Sequence, residues 1–243
     1  MDNAIYVSLS RQVTLQRALD VTANNLANVD TAGFKVESLV VNTDPLATPA
    51  PDNTPIQYVL DTQVARSFAP GPMDQTGNPY DMAVEGDGFF TVQTGGGPRY
   101  TRDGRFSVDS TGALVDKAGN AVLSAGGSPI TFDVKKSTPS IGRDGTITQD
   151  GTQVGKLSVV RFANRGQLSK EGQNYYSDDP SNPPIPANDS TIRQGMVERS
   201  NVQPVVEITN LISIQRTYER IAQLLGSATD LSRSAIDRLG KVA

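Results

Sequence analysis

The stretch NVQPVVEITNLISIQRTYERIAQLLGSATDLSRSAIDRLGKV, residues 201–242, decides the fold. Ile208, Leu211, Tyr218, Ala222, Leu225, Ile236 and Leu239 recur at three-four spacing, and Ile214, Ile221, Ala228, Ala235 and Val242 repeat every seventh residue beside them. That pattern is one amphipathic helix with a broad apolar stripe. Pro204 suits its first turn, where a missing N–H has no intrahelical partner to lose. At about 1.5 Å per residue the helix is roughly 60 Å long, more than the width of a small domain, so one compact core covers only part of the stripe. Something else must cover the rest.

The other end of the chain supplies a candidate. Over 3–28, Ile5, Leu9, Leu19, Ala23 and Leu26 lie near heptad spacing, with Gln12 and Gln16 interrupting the stripe. Asp2 or Asn3 caps the start, and Asn28-Val29-Asp30-Thr31-Ala32-Gly33 supplies residue types that stop a helix and turn the chain. Two readings stay open on pattern alone: a helix packed on its own domain, and a helix that depends on a partner.

Between the helices the character is different. Residues 34–41 alternate as a strand, and Pro45, Pro49, Pro51 and Pro55 punctuate the polar arm that follows. Further on, short alternating runs are broken by Gly-containing turns, with candidate strands at 57–68, 82–84, 89–93, 99–101, 106–108, 113–115, 121–123, 130–132, 146–148 and 156–162. Residues 167–188, rich in Gly, Ser, Asn, Asp and Pro, read as a loop or return connection. The expected fold class is mixed α and β. Long N- and C-terminal helices pair as a coiled-coil-like core domain, 1–32 with 200–243. An extended connecting β region spans 33–75 and 189–199. An antiparallel β-rich outer domain, a sandwich or partly closed barrel, occupies 76–188.

Composition narrows the chemistry. Without His or Cys the chain has no imidazole base, no thiolate nucleophile, no disulfide and no usual zinc ligand set. Aromatic residues are 6% and Trp is absent, so the cores are expected to be aliphatic and modest. A net charge of −4 with scattered basic residues leaves no footprint for nucleic acid. No run approaches the roughly 18 apolar residues of a membrane span. The opening Met1-Asp2-Asn3-Ala4-Ile5-Tyr6 has neither a basic nor a continuously apolar region, so no cleaved signal peptide is expected.

Asp81, Glu85 and Asp87 are the one acidic grouping that suits glycoside hydrolysis or metal binding. Gly86 and Gly88 flank Asp87 as a tight turn demands, and the turn is the preferred reading. No cofactor, metal site or catalytic set is expected from the residues.

Three segments together resemble the axial proteins of the bacterial flagellum, the rod and hook family. The first is Ala23-Asn24-Asn25-Leu26-Ala27-Asn28-Val29-Asp30-Thr31-Ala32-Gly33-Phe34-Lys35. The second runs Gly77-Asn78-Pro79-Tyr80-Asp81-Met82-Ala83-Val84-Glu85-Gly86-Asp87-Gly88-Phe89-Phe90, followed by Tyr100-Thr101-Arg102-Asp103-Gly104-Arg105-Phe106. The third is Gly195-Met196-Val197-Glu198-Arg199-Ser200-Asn201-Val202 with Glu207, Asn210-Leu211-Ile212 and Gln215-Arg216-Thr217-Tyr218-Glu219. Length and the opening residues look most like the proximal-rod members, with the distal-rod protein as the close alternative and the hook-type subunit further off.

The resemblance implies a structural subunit of the basal-body rod, paired terminal helices inside and β-rich domains outside. Its implied partners are sister subunits, neighbouring axial proteins and the flagellar export apparatus, which would carry the chain across without a signal peptide to a rod crossing the periplasm. The assembly surfaces expected are the two terminal stripes, Ile5, Leu9, Leu19 and Leu26 with Ile208, Leu211, Ile214, Tyr218, Ile221, Leu225, Ile236 and Leu239. The rival from another class is a secreted carbohydrate-active or binding protein using Asp81, Glu85 or Asp87.

Overall fold

The computed structural model describes residues 2–43, 48–49, 55–56, 59–172 and 174–240. Pro45 and Pro51 of the polar arm lie outside the described residues, as do the side chains of Ile5, Ile236 and Leu239. The chain forms two compact units.

The first unit gathers the described parts of 1–27, 37–66 and 203–243. Helix α1 runs Asp2–Ala27 and helix α2 runs Pro204–Gly240. At about 1.5 Å per residue α2 is roughly 55 Å long and α1 roughly 40 Å. The helices pack against each other, and α1 also touches an antiparallel pair of strands, Glu37–Thr43 with Val59–Arg66. In that pair Glu37 stands opposite Arg66 and Thr43 opposite Val59, with one register shift between Val40 and Val41. The side of α1 that is buried carries Thr14, Leu15, Thr22 and Asn25, where the seven-residue step from Leu15 to Thr22 and the three-residue step to Asn25 keep to one helix face.

The second unit gathers 28–36 and 67–202. Its main element is an open nine-stranded antiparallel sheet. The order across it is Ser169–Glu171, Tyr175–Ser177, Gly97–Thr101, Phe89–Thr94, Ala121–Val122, Leu114–Val115 and Ser107–Val108, with Val159–Arg161 also paired to Phe89–Thr94 and Ile185–Pro186 beyond it. A three-stranded sheet joins Ser140–Ile141, Thr146–Gln149 and Thr152–Lys156, and two further pairs join Met82–Glu85 to Thr191–Gln194 and Met73–Gln75 to Met196–Glu198.

The strand Phe89–Thr94 explains the core. Successive side chains of a strand point to opposite faces. Phe90 and Val92 therefore enter one cluster with Met82, Val84, Phe106 and Leu114, while Phe89 enters a second with Phe68, Tyr100, Phe162, Leu168 and Tyr176. A strand covered on both faces shows no polar alternation, which is why Phe89-Phe90-Thr91-Val92 reads as a continuous apolar run.

Three expectations change in detail. Five of the six residues in the second cluster are aromatic, so the expected aliphatic cores give way to one aromatic core. An average over the chain hides that all seven Phe residues are buried. The candidate strand at 130–132 makes only isolated bridges, at Thr131 and at Pro129 beside it. The supposed loop at 167–188 holds three short strands, one of which places Tyr176 in the aromatic core.

Truncating Phe90 to Ala should destabilise the β-rich unit by about 3–5 kcal/mol through lost burial and an unfilled cavity. Val134→Ala, at a side chain 68% exposed, should stay within about 0.5 kcal/mol. Urea unfolding of both variants checks the contrast.

Candidate functional site

Within the β-rich unit, three stretches far apart in sequence meet around one carboxylate. Glu198 ends the strand Met196–Glu198, and its side chain is fully enclosed. One carboxylate oxygen accepts hydrogen bonds from Lys35 Nζ at 2.6 Å and from the Gly71 N–H at 2.9 Å. The other accepts from Arg102 Nη1 at 3.3 Å. Lys35 Nζ also donates to the Ala69 carbonyl at 2.9 Å, while Arg102 reaches the carbonyls of Val84 at 3.0 Å and Gly86 at 2.7 Å. The Arg102 guanidinium lies over the Phe89 ring, 5.3 Å from its centre. Burial pushes the Lys35 and Arg102 pKa values down, and the Glu198 charge opposes that shift in both.

The backbone around this cluster is equally constrained. The Gly33 N–H donates to the Glu198 carbonyl at 2.8 Å. Gly33 has φ +67°, and a Cβ there would stand 2.4 Å from the Arg102 carbonyl carbon. At Gly71 a Cβ would meet the Arg199 carbonyl oxygen at 2.1 Å. Phe34 is buried, and Lys170 Nζ sits 4.3 Å from the centre of its ring. The Val36 N–H donates to Asn201 Oδ1 at 2.7 Å, and the Asn201 amide donates to the carbonyls of Ser67 and Ala69. Asn28 and Thr31 close the preceding turn through backbone and side-chain bonds of 3.1 Å each, and Ser200 Oγ accepts from the Val202 N–H at 3.2 Å.

The structure thus brings together Asn28, Thr31, Gly33 and Phe34 with Gly86, Phe89, Ser200, Asn201 and Val202. Gly88 packs on Val84 and Val159, whereas Phe90 faces the other core. Lys35, Arg102 and Glu198, on which this junction turns, were not singled out by sequence reasoning. Lys35, a lone charge between Phe34 and Val36, offered a signal, whereas Arg102 beside Asp103 and Glu198 beside Arg199 offered none.

In the helical unit the corresponding device is an amide. Asn25 Nδ2 donates to the Glu37 carbonyl at 2.8 Å and to Glu207 Oε2 at 3.1 Å, and Asn25 Oδ1 accepts from the Glu37 N–H at 2.9 Å. One side chain therefore joins α1 to the first strand and to α2. Arg66 Nε pairs with Glu37 Oε1 at 2.8 Å across the strand pair. Asn24 and Ala27 on either side are exposed, as are Arg216 and Glu219 on α2. Of the expected assembly stripe, Leu19, Leu26, Leu211, Ile214, Tyr218, Ile221 and Leu225 are half-buried, while Leu9 and Ile208 are exposed. Val13, Val205, Val206, Ile212, Leu224 and Leu231 are also exposed large apolar residues of the two helices.

The acidic trio does not converge on a reaction centre. Asp81 is buried and accepts from Asn78 Nδ2 at 3.0 Å. Glu85 accepts from Arg193 at 2.8 Å and Thr191 at 3.1 Å, and these bonds hold its pKa below the usual carboxylate range. A general acid for glycoside hydrolysis needs the opposite shift. Asp87 pairs with Arg165 at 2.6 Å. Among the described residues no helix is long and apolar enough to cross a membrane.

Three family models match. Residues 5–35 match the flagella basal body rod protein model, 83–149 the flagellar hook protein FlgE/F/G D1 domain, and 193–238 the flagellar basal body rod FlgEFG protein C-terminal model. The flagellar basal-body rod protein FlgF of Caulobacter vibrioides is 50% identical over 100% of both chains. That of Mesorhizobium japonicum is 36% identical over 99% of both. The flagellar basal-body rod protein FlgG of Bacillus subtilis is 30% identical over 98% of this chain and 99% of its own. These relatives are structural proteins rather than enzymes.

Asn25→Ala would leave the Glu37 N–H and carbonyl without their side-chain partner in a buried setting. It should destabilise the helical unit by about 1–3 kcal/mol, measured by urea unfolding followed by far-ultraviolet circular dichroism.

Proposed function

The chain belongs to the flagellar basal-body rod protein family and is a structural subunit of that rod, and we propose that it takes a proximal place there and assembles through its two terminal helices. The observation that carries the proximal reading is its 50% identity, end to end, with an FlgF, against 30–33% with the FlgG relatives. Its partners are other axial subunits of the flagellum.

The mechanism in this reading is self-assembly, not chemistry. The terminal stripes pair in coiled-coil fashion within the subunit along part of α2, and their remaining flanks meet sister subunits. The surfaces are those of Ile5, Leu9, Leu19 and Leu26 with Ile208, Leu211, Ile214, Tyr218, Ile221, Leu225, Ile236 and Leu239. Support comes from the apolar side chains of both helices that the subunit leaves in water. Covering a side chain of Leu or Ile size is worth about 1.5–3 kcal/mol, so a few such residues per interface hold a neighbour firmly. Stacked subunits enclose the export channel, transmit torque through a rod that crosses the periplasm, and arrive by way of the flagellar export apparatus.

Leu224→Glu combined with Leu231→Glu should leave subunit stability within about 0.5 kcal/mol per site, since the two side chains are 65% and 68% exposed and Glu is a good helix former. The same pair should abolish swimming in soft agar when it replaces the native copy. Normal swimming would count against α2 as an assembly surface.

A further inference from the structure

We propose that Glu198 is a closing latch: the segment Asn28–Val36 seats on the β-rich unit only when the carboxylate of the strand Met196–Glu198 is in place to neutralise Lys35 and Arg102. The Lys35 and Glu198 side chains have no exposed surface, and that of Arg102 keeps 3%. Two cations and one anion thus share one enclosed site. Taking an ammonium or guanidinium out of water without a counter-charge is among the most costly steps a fold can take.

Among the described residues no second carboxylate pairs with Lys35 or Arg102. Asp87, whose charge also acts on Arg102, is held at the surface by Arg165 at 2.6 Å. Glu198 lies 163 residues after Lys35 and 96 after Arg102, so the neutralising charge is the last of the three to be supplied along the chain. Its backbone works with its side chain, because the Glu198 carbonyl accepts the Gly33 N–H. Seating of the N-terminal segment therefore reports that the C-terminal strand has docked. Before docking, Lys35 has water to stay in; after docking, its burial and its pairing are completed together.

The buried bond after Phe34 gives a readout in the full-length protein, because chymotrypsin cuts there only when 28–36 lifts away. Phe132, in the other core, reports opening of the unit as a whole. Glu198→Gln should raise cleavage after Phe34 by about tenfold or more, with cleavage after Phe132 little changed, because a buried ion pair that loses one member is strongly destabilised. Adding Lys35→Met to Glu198→Gln removes one uncompensated charge and should bring cleavage after Phe34 back to within about threefold of wild type. Three results would each overturn the proposal: unchanged cleavage after Phe34 in Glu198→Gln, equal increases after Phe34 and Phe132, or no recovery on adding Lys35→Met.

Discussion

A charge buried in a protein must find its opposite within a few ångströms, and here a single carboxylate answers two cations. That requirement ties together backbone from four separate stretches of the β-rich unit. The Glu198 side chain touches Lys35, Gly71 and Arg102, and Arg102 in turn holds the carbonyls of Val84 and Gly86. Apolar packing is tolerant of small displacements, whereas a hydrogen-bonded ion cluster is directional and leaves a large penalty when one member is missing. The tight contacts at Gly33 and Gly71 are consequences of the same convergence: segments drawn to one carboxylate come so close that no Cβ fits between them.

The helical unit meets its polar demands more cheaply. Asn25 satisfies both backbone groups of Glu37 and still reaches Glu207, so one neutral amide fixes the end of α1 against a strand and α2. Its apolar surface is treated differently as well. Every Phe of the chain is inside, yet Val205, Ile208, Ile212, Leu224 and Leu231 on α2 remain in water. A helix of this length beside a shorter one cannot be covered along its whole stripe by a single partner.

Periodicity made the helices legible, because their apolar residues repeat over many turns and chance imitates that poorly. It also located the strands whose alternation or β-branched content is clear, such as Phe89–Thr94 and Thr146–Gln149. Strands of two or three residues are a different matter. Ser169–Glu171 and Ile185–Pro186 exist because a neighbouring strand offers them partners, and their own residues carry no pattern. The ion cluster was out of reach for a related reason. Lys35, Arg102 and Glu198 look like ordinary surface charges until the fold is known, and their pairing across 96 and 163 residues leaves no trace in local spacing. The family resemblance pointed to the right segments without saying what they do. Asp81, Glu85 and Asp87 show the converse: proximity in sequence leaves shared chemistry open beside the preferred turn, and the fold gives each a separate partner.

Enclosure also decides which residues remain free to meet a neighbour. Gly33, Phe34, Lys35, Arg102, Glu198 and Ser200 belong to the segments most characteristic of the family resemblance, yet their surfaces are consumed in closing the subunit. A side chain with no exposed surface cannot contact a second copy, however distinctive its sequence. On the helices the large apolar residues that the subunit leaves uncovered are Leu9, Val13, Val205, Val206, Ile208, Ile212, Leu224 and Leu231. The enclosed residues of the signature segments thus build the part, while Ile212 of the third segment and the plainer apolar positions of the helices stay open to water.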